Sequence, residues 1–337
     1  MFKQNVVFVI GAGASYEYGL PLGSELKERI AKAVRFRFEY GHRLVGGDGN
    51  LLDHIRRHVH GDSARSNEYT KAANLLASAI PAFVSVDEAL HYVSGSAEAI
   101  EVGKIAIIDQ ILAAERKSKL AYDQNTGRVR SLPDGWLAEM LSIAAGNLRM
   151  DELSTIFDHV TFVNFNYDRV IEQYLFWALQ ENMSATAEQA FEIVSRINML
   201  RPYGSVGKFS SNFTDQFGFG TTAHFDPFAR LASLGTYTDQ KPMHDLSAMD
   251  NALRVAKLII FLGFGYHTSN VDVIKRPAGG GITVMGTVTG IHKSNYDVIC
   301  RRIAGNLGIS RPGVETHDMK AAEFLRELRP QILMLVS

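Results

Sequence analysis

A chain of 337 residues exceeds the usual single-domain size, so one large or two modest domains are expected, and a 46% hydrophobic fraction is enough for a full core. Lys plus Arg (35) nearly cancel Asp plus Glu (36), which removes any whole-molecule argument for direct nucleic-acid binding or an anionic membrane surface. The lone Cys300 excludes an intrachain disulfide and a cysteine-rich zinc site, fits a reducing cytoplasm, and leaves no metal expected.

In chain order, the first element is a short apolar run, Asn5 to Ile10, that ends in Gly11-Ala12-Gly13-Ala14-Ser15. A buried strand feeding a glycine turn is the pattern of a phosphate-cradling loop, because residues without a Cβ let backbone N–H groups approach a diphosphate. The dehydrogenase fingerprint would need glycine at position 16, where Tyr16 stands. The run is too short for a membrane span and lacks a signal-cleavage pattern, so a soluble cytoplasmic protein is expected. Ser24 to Ile30 has a cap-type serine, early acids and helical apolar spacing. Up to about residue 150 no alternating strand stands out. Residues 51–60, 64–80, 97–122 and 135–148 suit amphipathic helices, and Ser85-Val86-Asp87-Glu88 reads as a capping box.

Strand–helix alternation then resumes. Residues 159–164 read as a strand, about 167–180 as a helix, and 197–200 as a strand that stops at Pro202-Tyr203-Gly204. Residues 205–245 form an irregular excursion. Leu258–Leu262 is the clearest buried parallel strand, followed by a strand over 281–285, a helix over 295–306, a helix near 319–328 and an apolar tail over 331–336. This predicts an α/β fold: a Rossmann-like doubly wound parallel sheet with a large helical insertion after the first strand. Residues 1–23 and 151–310 would form the nucleotide-binding core, 24–150 the helical insertion or lid, and 311–337 a helix and strand packed on the core.

The ligand of such a sheet lies at the carboxyl ends of its strands. The segments placed there are Gly11–Ser15, then Asn164 through Asn166 to Asp168, and Gly263-Phe264-Gly265 leading to His267, Ser269 and Asn270. An amide beside a carboxylate can hold ribose hydroxyls and a carboxamide. Plainer roles stand beside each of these. The glycines can make a tight turn, and Asn166 or Asp168, like Ser269 and Asn270, can cap a helix. Asn164 reads as structural, and His54, His58 and His60 read as a solvated basic face rather than a metal site.

Gly11-Ala12-Gly13-Ala14-Ser15 with Gly19-Leu20-Pro21 resembles the sirtuin nucleotide loop. Asn166-Tyr167-Asp168 after a strand is similar to the sirtuin signature of asparagine, one spacer and aspartate. Leu262 to Gly265, leading to Ser269 and Asn270, resembles the later ribose-contacting loop. The pattern is closest to the sirtuin-like domains of bacterial antiphage defence systems, and not to the zinc-containing deacylases. The resemblance implies NAD+ as substrate, cleaved to nicotinamide and ADP-ribose, with Asn166 positioning a water or ribose hydroxyl and Asp168 holding the carboxamide. It implies nucleotide contacts at Gly11, Ala12, Gly13, Ser15, Pro21, Asn166, Asp168, Gly204, Ser205, Gly263, Gly265, His267, Ser269 and Asn270. The chain departs where the family has a catalytic histidine before glycine and serine: here Arg201-Pro202-Tyr203-Gly204-Ser205 stands. Tyrosine, with a free pKa near ~10, is a poor base. Tyr203 is then an orienting hydroxyl, or another residue is the base (His267, His224 or His159), or the chain is an inactive NAD or ADP-ribose module or scaffold. An effector with no evident sensor is expected to self-associate or to answer to a partner chain such as an ATPase or nucleic-acid sensor.

Overall fold

The computed structural model describes residues 2–123, 125–211, 218–220, 226–235, 246–275 and 281–337. Its centre is a six-stranded, all-parallel sheet made of β1 (Val6–Ile10), β2 (Val160–Asn164), β3 (Asn198–Leu200), β4 (Leu258–Leu262), β5 (Thr283–Thr287) and β6 (Val314–His317). The spatial order is β3-β2-β1-β4-β5-β6. That is the doubly wound Rossmann order, with its switch point between β1 and β4.

β1 sits in the middle, Val6 pairing with Val160 on one side and with Leu258 on the other. Its five residues are all buried, because helices cover both faces of the sheet. Side chains alternate across a strand, so Val7 and Val9 enter one core while Val6, Phe8 and Ile10 enter the other. Each such side chain contributes roughly 1.5–3 kcal/mol on burial.

The first layer holds α2 (Gly23–Ala33), α3 (Gly49–His58), α4 (Ser63–Ala79), α5 (Val86–Tyr92) and α6 (Ala97–Lys117), with α10 (Leu246–Val255), α11 (Thr268–Val273) and α12 (Tyr296–Leu307). The second holds α7 (Trp136–Ala144), α8 (Val170–Met183), α9 (Ala187–Arg196), α13 (Ala321–Glu327) and α14 (Arg329–Val336). The long connection from β1 to β2 therefore supplies helices to both faces. It also contains two short antiparallel hairpins, Arg37–Glu39 with Arg43–Gly46 and Tyr122–Asp123 with Arg128–Val129, where no strand was expected.

The apolar tail, expected as a strand, is helix α14. Pro330 is accommodated in its first turn, and the buried Ile332 and Val336 are four residues apart, which is helical and not strand periodicity. The strand of this region is β6, which precedes both C-terminal helices. Among the described residues, no helix is long and apolar enough to cross a membrane.

Candidate functional site

The turns after β1, β2, β3 and β4 meet at the carboxyl edge of the sheet. The turn after β1 enters the five-residue helix α1 (Ala12–Tyr16). α7 fastens it there: Trp136 Nε1 donates to the Ala14 carbonyl (3.0 Å), and the Tyr18 hydroxyl accepts from Leu137 N (2.9 Å). Burial raises the Tyr18 pKa well above its ordinary value, so the hydroxyl stays neutral.

The glycines of this turn have a structural cause. A Cβ on Gly11 would lie 2.6 Å from the Gly263 carbonyl oxygen, and one on Gly13 would lie 2.8 Å from Gly263 Cα. Gly263 itself has φ +57°, and a Cβ there would meet Ala14 N at 2.0 Å. Gly11 N donates to the Leu262 carbonyl (3.0 Å) and Gly13 N to that of Gly263 (2.9 Å). These two N–H groups, expected to face a diphosphate, thus join the turns after β1 and β4. Ala12 is half-buried beside them, and Pro21 is buried between α1 and α2.

The turn after β2 brings its polar residues against the same helix. Asn166 Nδ2 donates to the Gly11 carbonyl (3.0 Å) and to Ser15 Oγ (2.9 Å). A carbonyl only accepts, so the Gly11 contact fixes which end of the amide is nitrogen. The Ser15 hydroxyl, accepting from Asn166, directs its own proton to the Asp168 carboxyl. Asp168 Oδ1 also accepts from Val170 N (3.1 Å), the first residue of α8, from one position before the N-cap Arg169. This explains why α8 begins at Val170 and not near Tyr167, as expected from the sequence. Asn164 Oδ1 accepts from Asn166 N (3.0 Å), the structural role read for it.

Asp168 is buried, and its pKa is pushed up to about 6. Desolvation is the main cause, with the Glu115 carboxylate adding to it. The Val170 N–H, the Ser15 hydroxyl and the Arg201 guanidinium oppose it.

Two arginines that carried no expectation hold this turn. Arg169 pairs with Glu115 near the end of α6 (Nη2 to Oε2, 2.6 Å), both side chains 0% exposed. Glu115 also accepts from Gly220 N (3.0 Å), and Arg169 donates to the Gly218 carbonyl (3.1 Å). Arg201, just beyond β3, donates to the carbonyls of Asn166 (2.8 Å) and Asp168 (2.9 Å) and to both oxygens of Glu172 (2.7 and 2.9 Å). The Arg169 partner Glu115 opens the charged end of α6, Glu115-Arg116-Lys117, so its burial carried no signal in the sequence.

The remaining expected residues divide into two groups. Tyr203 is buried, packs edge-on against Phe165, and donates to Asn270 Oδ1 (2.9 Å), so the turns after β3 and β4 are linked. Gly204 (φ +71°) bridges to Leu234, and Ser205 Oγ donates to the Gly207 carbonyl (2.9 Å), so both shape their own loop. Gly265 and His267 are exposed at the start of α11, the imidazole lying over Gly265, and Ser269 is half-buried in the helix's first turn.

His159 lies at the opposite end of the sheet, bonded to Asn5 (3.2 Å) before β2 begins, and therefore cannot serve this edge. His224 lies outside the described residues. His58 stacks on Phe228 (3.7 Å) and His54 contacts Arg57 (2.9 Å). No group of three metal-ligating side chains occurs among the described residues. Two surface clefts, of about 290 and 370 Å³, lie along α8 and α9, away from this edge.

Fold and site together define a doubly wound α/β protein of Rossmann order with a buried amide–hydroxyl–carboxyl cluster at the carboxyl ends of β1 and β2. The sequence matches no protein-family model and no curated protein sequence.

Proposed function

We propose that this edge binds NAD+ and hydrolyses its nicotinamide–ribose bond. The observation that carries the reading is the Asn166–Ser15–Asp168 cluster, assembled from segments about 150 residues apart at the position where doubly wound sheets take nucleotides. Asn166 spends both amide hydrogens inward, so its Oδ1 is the atom that would accept from an attacking water or a ribose hydroxyl. Asp168, with a pKa of about 6, is ionised at physiological pH and suited to accept a proton there. The C1′–N bond breaks with its electron pair leaving on nicotinamide. Water oxygen bonds C1′, and the water proton is released, giving ADP-ribose, nicotinamide and H+.

Oxocarbenium-like transition states depend chiefly on electrostatic positioning, and general-base help contributes about 10²–10⁴-fold. Purified chain should therefore release nicotinamide from NAD+, with Asn166→Ala and Asp168→Asn at least about 10²-fold slower. Absence of both nicotinamide release and calorimetric heat with NAD+ or ADP-ribose would defeat the proposal. In a cell the reaction would drain NAD+, the antiphage outcome that the resemblance implies, under control by self-association or a partner chain.

A second reading is a binding module without turnover. It is favoured by Tyr203, whose hydroxyl is engaged by Asn270 where the resemblance would place a histidine. Heat on binding, no nicotinamide from wild type, and turnover gained by Tyr203→His would establish it.

A further inference from the structure

Arg201 is the side chain through which the β3 turn governs the β2 turn. One of its terminal nitrogens donates to two carbonyls, those of Asn166 and Asp168, and the other donates to both carboxylate oxygens of Glu172 on α8. The side chain is 6% exposed, and its partner Glu172 is 13% exposed. The planar guanidinium holds these four acceptors at once. A lysine ammonium, a single nitrogen, cannot span the carbonyls and the carboxylate together.

We propose that Arg201 is a positioning residue of the site: by tying the Asn166 and Asp168 carbonyls to α8, it fixes the turn in the geometry in which both side chains reach Ser15. The residue between the two clamped peptides is Tyr167, whose hydroxyl donates to Asp87 on α5 (3.0 Å), so the turn is anchored on both sides. Releasing the carbonyl pair lets the two peptide groups rotate and the Asn166 and Asp168 side chains separate.

The charged groups facing Asp168 are Arg201 from the β3 turn and Glu115 from α6, itself paired with Arg169; Ser15 on α1 faces it as a neutral donor. Arg201 is the cation that favours the ionised carboxyl, so its loss leaves the Glu115 field less opposed. The inference rests on the NAD+-cleaving reading only for its kinetic readout.

The test uses Arg201→Lys, Glu172→Gln and the double variant Arg201→Met/Glu172→Met, the last removing the pair without stranding a buried charge. Nicotinamide release is measured against pH. Carbon-13 NMR follows the aspartate carboxyls, that of Asp168 assigned by its loss in Asp168→Asn. Arg201→Lys and Glu172→Gln should lower kcat about 10–100-fold with KM held within about threefold. In the double variant the Asp168 midpoint and the acid limb of the rate profile should both move to higher pH. Arg201→Lys keeps the cation but not the clamp, so loss of the Ser15 hydrogen bond should by itself raise the midpoint, and the rate should not be regained.

Unchanged kcat and an unmoved midpoint in these variants, whatever their Tm, would reduce Arg201 to a structural residue and overturn the proposal. If wild type releases no nicotinamide, the NAD+ reading falls, and the Asp168 midpoint in Arg201→Lys, where the charge is kept, alone decides: a shift keeps the positioning role, and no shift ends it.

Discussion

Asp168 answers two opposed requirements with one carboxyl. It accepts hydrogen bonds from Val170 N and Ser15, which favour its charge, in a burial that disfavours charge more strongly. With the folded value at about 6 and the ordinary value at 3.8, the folded chain holds a proton between those pH values that the unfolded chain has released. Stability contributed by this group therefore falls as pH rises from about 4 to about 6, by about 3 kcal/mol at most, and stays reduced above. Asp168→Asn removes the charge, so its Tm should exceed that of wild type at pH 8, with the gain vanishing by pH 4. Calorimetric scans at the two pH values check this, and an equal difference at both would contradict it. The same titration predicts nicotinamide release that rises with pH through a midpoint near 6, because the ionised carboxyl is the proton acceptor.

Among elements, the β1 turn and the β4 turn lie so close that neither leaves room for a Cβ, and glycine is required on both sides of the contact. Gly263→Ala adds both a 2.0 Å clash with Ala14 N and an unfavourable φ of +57°, with only backbone atoms to give way. It should destabilise by about 4 kcal/mol or more, read as a lowered urea midpoint. Glu115→Ala, which strands Arg169 in the interior, should cost about 3–5 kcal/mol in the same measurement.

How much the sequence discloses follows from where each constraint lies. β1 and β4 are legible because both faces of each are covered, so their side chains form unbroken apolar runs. β3 has three residues and was placed through the Pro202 that follows it. Helix α9 drew no expectation, although Thr186 and Gln189 form a reciprocal capping box at its start. The hairpin strands, two to four residues long, are too short for alternation to register. At the site, Ser15, Asn166 and Asp168 were legible from loop position. The Gly11 and Gly13 contacts, and the Arg201 and Arg169 clamps, depend on which distant backbone lies alongside, which no local pattern encodes.

At the scale of the whole molecule, the expected self-association predicts a light-scattering mass of at least twice 37.3 kDa at working concentration; a value of 37.3 kDa would count against it. The layout of the sheet bears on how the chain matures. β1 is its middle strand, yet its neighbours are residues 160–164 and 258–262, so the ribosome has emitted most of the polypeptide before β1 can be enclosed on both edges. Nascent chains halted between these points carry an apolar strand with an open hydrogen-bonding edge, a template for intermolecular pairing. Stalled products ending before residue 258 should therefore recruit holdase chaperones or precipitate, and release of the β4 segment from the exit tunnel should end that vulnerability.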